Sequence, residues 1–190
     1  MTEGPRKKPD ASTSRRRLFF ALWPPAELQA VLHRAGRRAL GTAHGRRIGP
    51  ERLHLTLAFL GSITEEMQRC CERAAASVRC GSFELILDRS GCFRHNGILW
   101  LGSSAVPLSL RELVHSLNAE LSACGFVPET RPYRAHVTLA RDVDRCPDEL
   151  AIEPIVWKVD EFALIESRAD ASGAHYDRLM SWPLVAPPRT

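Results

Sequence analysis

Apolar and polar residues change period several times along this chain, and those changes divide it into elements. Residues 18–23 (Leu18-Phe19-Phe20-Ala21-Leu22-Trp23) are continuously apolar, the pattern of a strand buried on both faces. Pro24-Pro25 then opens a helix whose stripe is Leu28, Val31, Leu32, Ala35 and Ala39, with Gly41 as its stop. Residues 41–52 read as a basic loop. The alternation His54-Leu55-Thr56-Leu57 marks a strand closed by Gly61, and Ser62-Ile63-Thr64-Glu65 offers a capping box for the next helix. That helix carries Met67, Cys70, Cys71, Ala74 and Val78 on one face. Residues 83–87 alternate as a strand, Asn96-Gly97 supplies a turn, and residues 98–101 return antiparallel. Pro107 starts a third helix, with Leu110, Leu113, Val114, Leu117 and Leu121 inward and Gly125 beyond its end. A loop rich in Pro and Arg leads to His136-Val137-Thr138-Leu139, and strand-like stretches at 155–159, 161–167 and 176–184 complete the chain.

The order predicts an α+β fold. Two pseudo-symmetric lobes of antiparallel sheet, with outer helices, flank a central cleft that carries two His-x-Thr strands. Side chains alternate across a strand, so Leu55 and Leu57 point into a core while His54 and Thr56 share the opposite face. Val137 and Leu139 stand in the same relation to His136 and Thr138. Two such matches among seven histidines would arise from composition alone about once in two thousand sequences. Either stretch alone reads as a core strand with a satisfied histidine; the pair, on matching elements of two half-repeats, reads as a site.

Composition sharpens this picture. Residues 1–17 hold six basic and two acidic residues, so the net charge of +4 resides in that segment and the remainder is neutral overall. A globally basic, nucleic-acid-coating domain is not supported, and a local basic patch stays open. We expect residues 1–17 to be a disordered basic tail, 18–185 to form the folded domain, and 186–190 to be a short tail. The six cysteines show no metal-ligand spacing and read as buried, reduced thiols. The apolar run after Arg15-Arg16-Arg17 is too short for an export signal or a membrane span, so a cytoplasmic, monomeric protein is expected.

Imidazole is the side chain that exchanges protons near neutral pH, and two of them can divide acid and base duties. A threonine two residues on can donate its hydroxyl to a phosphate oxygen and hold the group in line. No metal or cofactor is required for this chemistry, and a cyclic phosphodiester suits it because ring strain helps expel the leaving oxygen. Over residues 18–184 the chain resembles the 2H phosphoesterases, and within them the RNA 2′,3′-cyclic phosphodiesterases, also called 2′-5′ RNA ligases. The resemblance rests on residues 18–22, 54–61 and 91–93, then on residues 99–102 and 136–141. It extends to Ser167, Gly173, Tyr176 and Trp182-Pro183-Leu184. It implies that His54 and His136 are the catalytic pair, with Thr56, Thr138 and Arg141 binding phosphate; we assign His54 as proton donor and His136 as proton acceptor, a division the sequence itself leaves open. It also implies RNA ends or nucleoside 2′,3′-cyclic phosphates as substrates. Two other readings compete: a nucleotide or RNA-end binding module without turnover, and a metal hydrolase using the same histidines.

Overall fold

The structure, a computed structural model, describes residues 15–170 and 173–185. Its strands and helices run β1 (Arg15–Leu22), α1 (Ala26–Leu40), β2 (Arg46–Arg47), β3 (Leu55–Thr64), α2 (Glu65–Ser77), β4 (Phe83–Phe93), β5 (Ile98–Gly102), α3 (Leu108–Ser122), β6 (His136–Arg141), β7 (Leu150–Val159), β8 (Glu161–Asp170) and β9 (Gly173–Pro183). Every pairing among them is antiparallel, in the order β7-β4-β5-β6-β3-β1-β8-β9 with β2 on β6. The fold class is α+β, as the pattern predicts.

The middle of this order is its narrowest point. β3 and β6 pair only at Leu55 and Val137, whereas the neighbouring seams β1–β3 and β5–β6 pair over much of their length. The sheet therefore divides into a half of β7, β4, β5 and β6 and a half of β3, β1, β8 and β9. Leu55 and Val137 are fully buried, so alternation places the residues on either side of each on the opposite face. The helices cover the buried face. α1 packs across β5, β6 and β7, while α2 and α3 pack on each other and on β3. Thus α1, which connects strands of one half, lies on the other half and ties the two together.

Local chemistry explains the boundaries. Pro25 sits extended at the N-cap of α1, where a missing N–H costs nothing, and Gly41 ends that helix. β3 does not stop at Gly61. Leu18 aligns with Gly61 and Phe19 with Phe59, a bulge absorbed by Gly61 at φ 72°, and the strand continues to Thr64. The cap of α2 is accordingly Thr64, whose hydroxyl accepts from the Met67 N–H at 3.3 Å, and not a box begun by Ser62. The stripe of α3 is buried as read, from Leu110 through Leu121.

Three expectations need correction. β1 begins at Arg15, inside the stretch assigned to the tail, and Arg16 makes a two-pronged ion pair with Glu166 of β8 at 2.9 and 2.5 Å. Three consecutive arginines carry no apolar period, so only the partner strand reveals them as part of the sheet. Residues 1–14 and 186–190, which complete the two expected tails, lie outside the described residues. The basic loop at 41–52 contains the short strand β2, held by Arg141 and Ala140 of β6. The reading of all cysteines as reduced thiols fails for four of the six. Cys70 of α2 is bonded to Cys124 beyond α3, and Cys92 of β4 to Cys146 after β6, while Cys71 and Cys80 are free and buried. Each bridge spans 54 residues, which no sequence motif signals. The cysteines therefore lend no support to a reducing compartment. No described helix is long and apolar enough to cross a membrane.

Titration of thiols in denaturant without reductant should give two per chain; six would contradict both bridges. Reducing them should lower stability by about 2–4 kcal/mol per bridge, read as a lower denaturant midpoint, because each closes a long loop.

Candidate active site

The two histidines flank the single β3–β6 pair. His54 immediately precedes Leu55 at the start of β3, and His136 is the first residue of β6, one position before Val137. Their backbone environments match. His54 Nδ1 lies 2.7 Å from the carbonyl oxygen of Arg52, and His136 Nδ1 lies 2.7 Å from that of Arg134. A carbonyl oxygen can only accept, so Nδ1 donates in both rings and the proton of the neutral imidazole resides there. Each Nε2 is left with its lone pair, able to take a proton, or to give one once the ring is cationic. The repetition of a His-to-carbonyl bond two residues upstream gives the two halves the same device.

Their side-chain surroundings differ. His54 stands among three aromatic rings: Trp23 stacks on it at 5.6 Å and 6°, Phe19 lies at 4.8 Å, and Tyr176 meets it edge-on at 5.2 Å. Phe19 belongs to a second apolar cluster with Ala21, Ala163 and Ile165, packed with Trp23 and Tyr176. The apolar run of β1 thus serves two purposes. Leu18, Phe20 and Leu22 fill the main core, while Phe19 and Ala21 form the cluster beside His54. His136 meets one ring, Phe93, edge-on at 5.1 Å, and Phe93 packs in turn on Trp100 at 5.5 Å. Trp100 aligns with Thr138 across β5–β6 and lies over Gly91, where an added Cβ would stand 2.4 Å from the indole.

Burial lowers the pKa of both imidazoles, that of His54 to about 4. The bonds to Arg52 and Arg134 oppose that effect, and the positive charge of Arg141 reinforces it at both rings. Both are therefore neutral near pH 7 in the free protein. Arg141 is exposed at the end of β6, and its charge contributes to the lowered pKa of both histidines. Thr56 and Thr138 are half-buried, on β3 and β6. Of the five sequence-assigned residues, His54, Thr56, His136 and Thr138 adjoin the Leu55–Val137 pair, and Arg141 ends β6. Trp23, Phe19, Phe93 and the carbonyls of Arg52 and Arg134 were missed. Phe19 and Phe93, like Tyr176, fell within the stretches that carry the resemblance but were given no role there, and Trp23 lay just beyond them.

Concavities of about 300 Å³ (Leu60, Met67, Phe126) and about 510 Å³ (Pro24, Gln29, Trp157, Arg178) lie elsewhere, although Trp23 borders the second. Among the described residues, no three His, Cys, Asp or Glu side chains converge as metal ligands.

Two half-buried imidazoles, each bonded at Nδ1 and presenting Nε2, are repeated about the β3–β6 seam, an arrangement able to exchange protons. Comparison with known proteins agrees. The profile of the 2′-5′ RNA ligase superfamily matches residues 23–171. A protein of Escherichia coli K12 named RNA 2′,3′-cyclic phosphodiesterase is 31% identical over 173 residues, covering 89% of this chain and 97% of its own length. A Thermus thermophilus protein of the same name is 28% identical over 184 residues, covering 88% and 90%. The crystal structure of E. coli LigT complexed with 3′-AMP superposes with a TM-score of 0.81 at 30% identity, over 90% of this chain and 99% of that one. The chain belongs to the 2′-5′ RNA ligase superfamily of 2H phosphoesterases.

Free-enzyme kcat/KM is expected to fall as pH rises through 7, because the donor imidazole must be charged while its lowered pKa leaves ever less of the cation. Replacing Arg141 with Gln removes a cation that depresses both rings. It should move that descending limb to higher pH and raise KM. A kcat/KM that is flat from pH 5 to 8 would contradict this assignment.

Proposed function

We propose that this protein hydrolyses RNA or nucleotide 2′,3′-cyclic phosphates to 2′-phosphomonoesters by two-histidine acid–base catalysis. The observation that carries this reading is the matched pair of Nδ1–carbonyl bonds, which turns two imidazoles into proton carriers through Nε2 on one face of the seam. The relatives' shared name, RNA 2′,3′-cyclic phosphodiesterase, supplies the substrate class.

In the proposed reaction His136 takes a proton from water as its oxygen attacks phosphorus. The P–O3′ bond breaks, and His54 gives its proton to the departing 3′-oxygen. Thr56 and Thr138 donate hydroxyl hydrogen bonds to the non-bridging oxygens, and Arg141 balances their charge. Because both rings are neutral in the empty site, His54 acquires its proton as the anionic substrate arrives, when the added negative charge raises its pKa. The three rings about His54 keep water from its faces, so that proton is delivered to the leaving group. Run in the same direction with an RNA 5′-hydroxyl in place of water, the steps form a 2′-5′ linkage: His136 takes the hydroxyl proton as its oxygen attacks phosphorus, the P–O3′ bond breaks, and His54 protonates the 3′-oxygen. All of these groups come from one chain, so a monomer suffices, and an RNA-end substrate points to the cytoplasm.

The test is hydrolysis of a nucleoside 2′,3′-cyclic phosphate, with the product position read by NMR. His54→Ala and His136→Ala should each lower kcat by about 10²–10⁴-fold, with the wild type yielding the 2′-phosphate. A 3′-phosphate product would overturn the donor assignment. Tight nucleotide binding without turnover would favour the binding-module reading, and loss of activity in EDTA a metal hydrolase.

A further inference from the structure

The seam at Leu55 and Val137 is too short to fix one half of the sheet against the other at the site, so another contact must hold the two threonines in register. One is present. Tyr133, in the loop between α3 and β6, donates its hydroxyl to the backbone carbonyl of Thr56 at 2.9 Å. Tyr133 lies three residues before His136, and the next residue, Arg134, supplies the carbonyl that orients His136. A single short segment thus touches both motifs: Arg134 fixes the histidine of β6, and Tyr133 reaches across to the threonine of β3. Tyr133 remains 37% exposed, yet burial raises the pKa of its phenol, so the hydroxyl stays protonated and able to donate.

We infer that Tyr133 is a positioning residue that clasps β3 to β6 and sets Thr56 at the spacing the phosphate requires. This rests on the phosphate role proposed above for Thr56. The contact is outside the β-ladder, and the ladder offers Thr56 no partner on β6, because the pairing ends at Leu55. Without the hydroxyl, the start of β3 is held to β6 by one residue pair, and Thr56 gains freedom in the direction that separates it from His136. Loss of register at a phosphate-holding group lowers the rate, since catalysis depends on alignment of the reacting oxygens.

The test is Tyr133→Phe, which keeps the ring and removes only the hydroxyl, in wild-type, Thr56→Val and Thr138→Val backgrounds. Activity is measured on a nucleoside 2′,3′-cyclic phosphate. In the wild-type background kcat/KM should fall about threefold to tenfold, the size of one net hydrogen bond. The loss should vanish with Thr56→Val, through which it acts, and persist with Thr138→Val, which Tyr133 does not touch. An equal loss in all three backgrounds, or none in the first, would overturn the clasp. If Thr56→Val alone costs nothing, the phosphate role of Thr56 fails instead. The same cycle on inorganic phosphate affinity, followed by NMR titration, requires no turnover and must show the same pattern.

Discussion

The candidate site rests on one constraint: two half-sheets meet at a single residue pair, Leu55 and Val137, and His54 and His136 stand immediately before that pair on the two strands. A single pair gives the two strands little mutual alignment, and other bonds supply it. The Arg52 and Arg134 carbonyls hold the rings, α1 crosses from one half to the other, and Tyr133 reaches the Thr56 carbonyl.

The halves repeat in backbone and differ in side chains, which is how a symmetric frame yields two unlike proton carriers. Both rings are fixed by a carbonyl two residues upstream, so both present Nε2. Three aromatic neighbours and deeper burial make protonation of His54 costlier than an ordinary imidazole's until an anion enters the cleft. His136, beside Phe93 alone, is less enclosed. In the proposed reaction this difference couples binding to chemistry, because the substrate's charge raises the pKa of the imidazole assigned as donor.

Much of this was legible in the sequence. The stripes of α1 and α3, the Pro and Gly signals at their ends, and the alternation about Leu55 and Val137 each follow from a local period, and the structure keeps them. His54 and His136 stood out because their motif occurs twice on matching elements. What was not legible depends on contacts remote in sequence. Arg16 enters β1 only because Glu166 lies beside it, and Cys70 and Cys92 meet partners 54 residues away. Phe19 looked like one more core residue in an apolar run, although it lies beside His54. Tyr133 was hidden in a loop with no period of its own.

The central claim is that both imidazoles carry their proton on Nδ1 and work through Nε2. Long-range proton–nitrogen NMR of the ring nitrogens reads this directly on the free protein at neutral pH. The Nδ1–H tautomer is expected at His54 and at His136, with Nε2 unprotonated in each. An Nε2–H tautomer at either ring would contradict it.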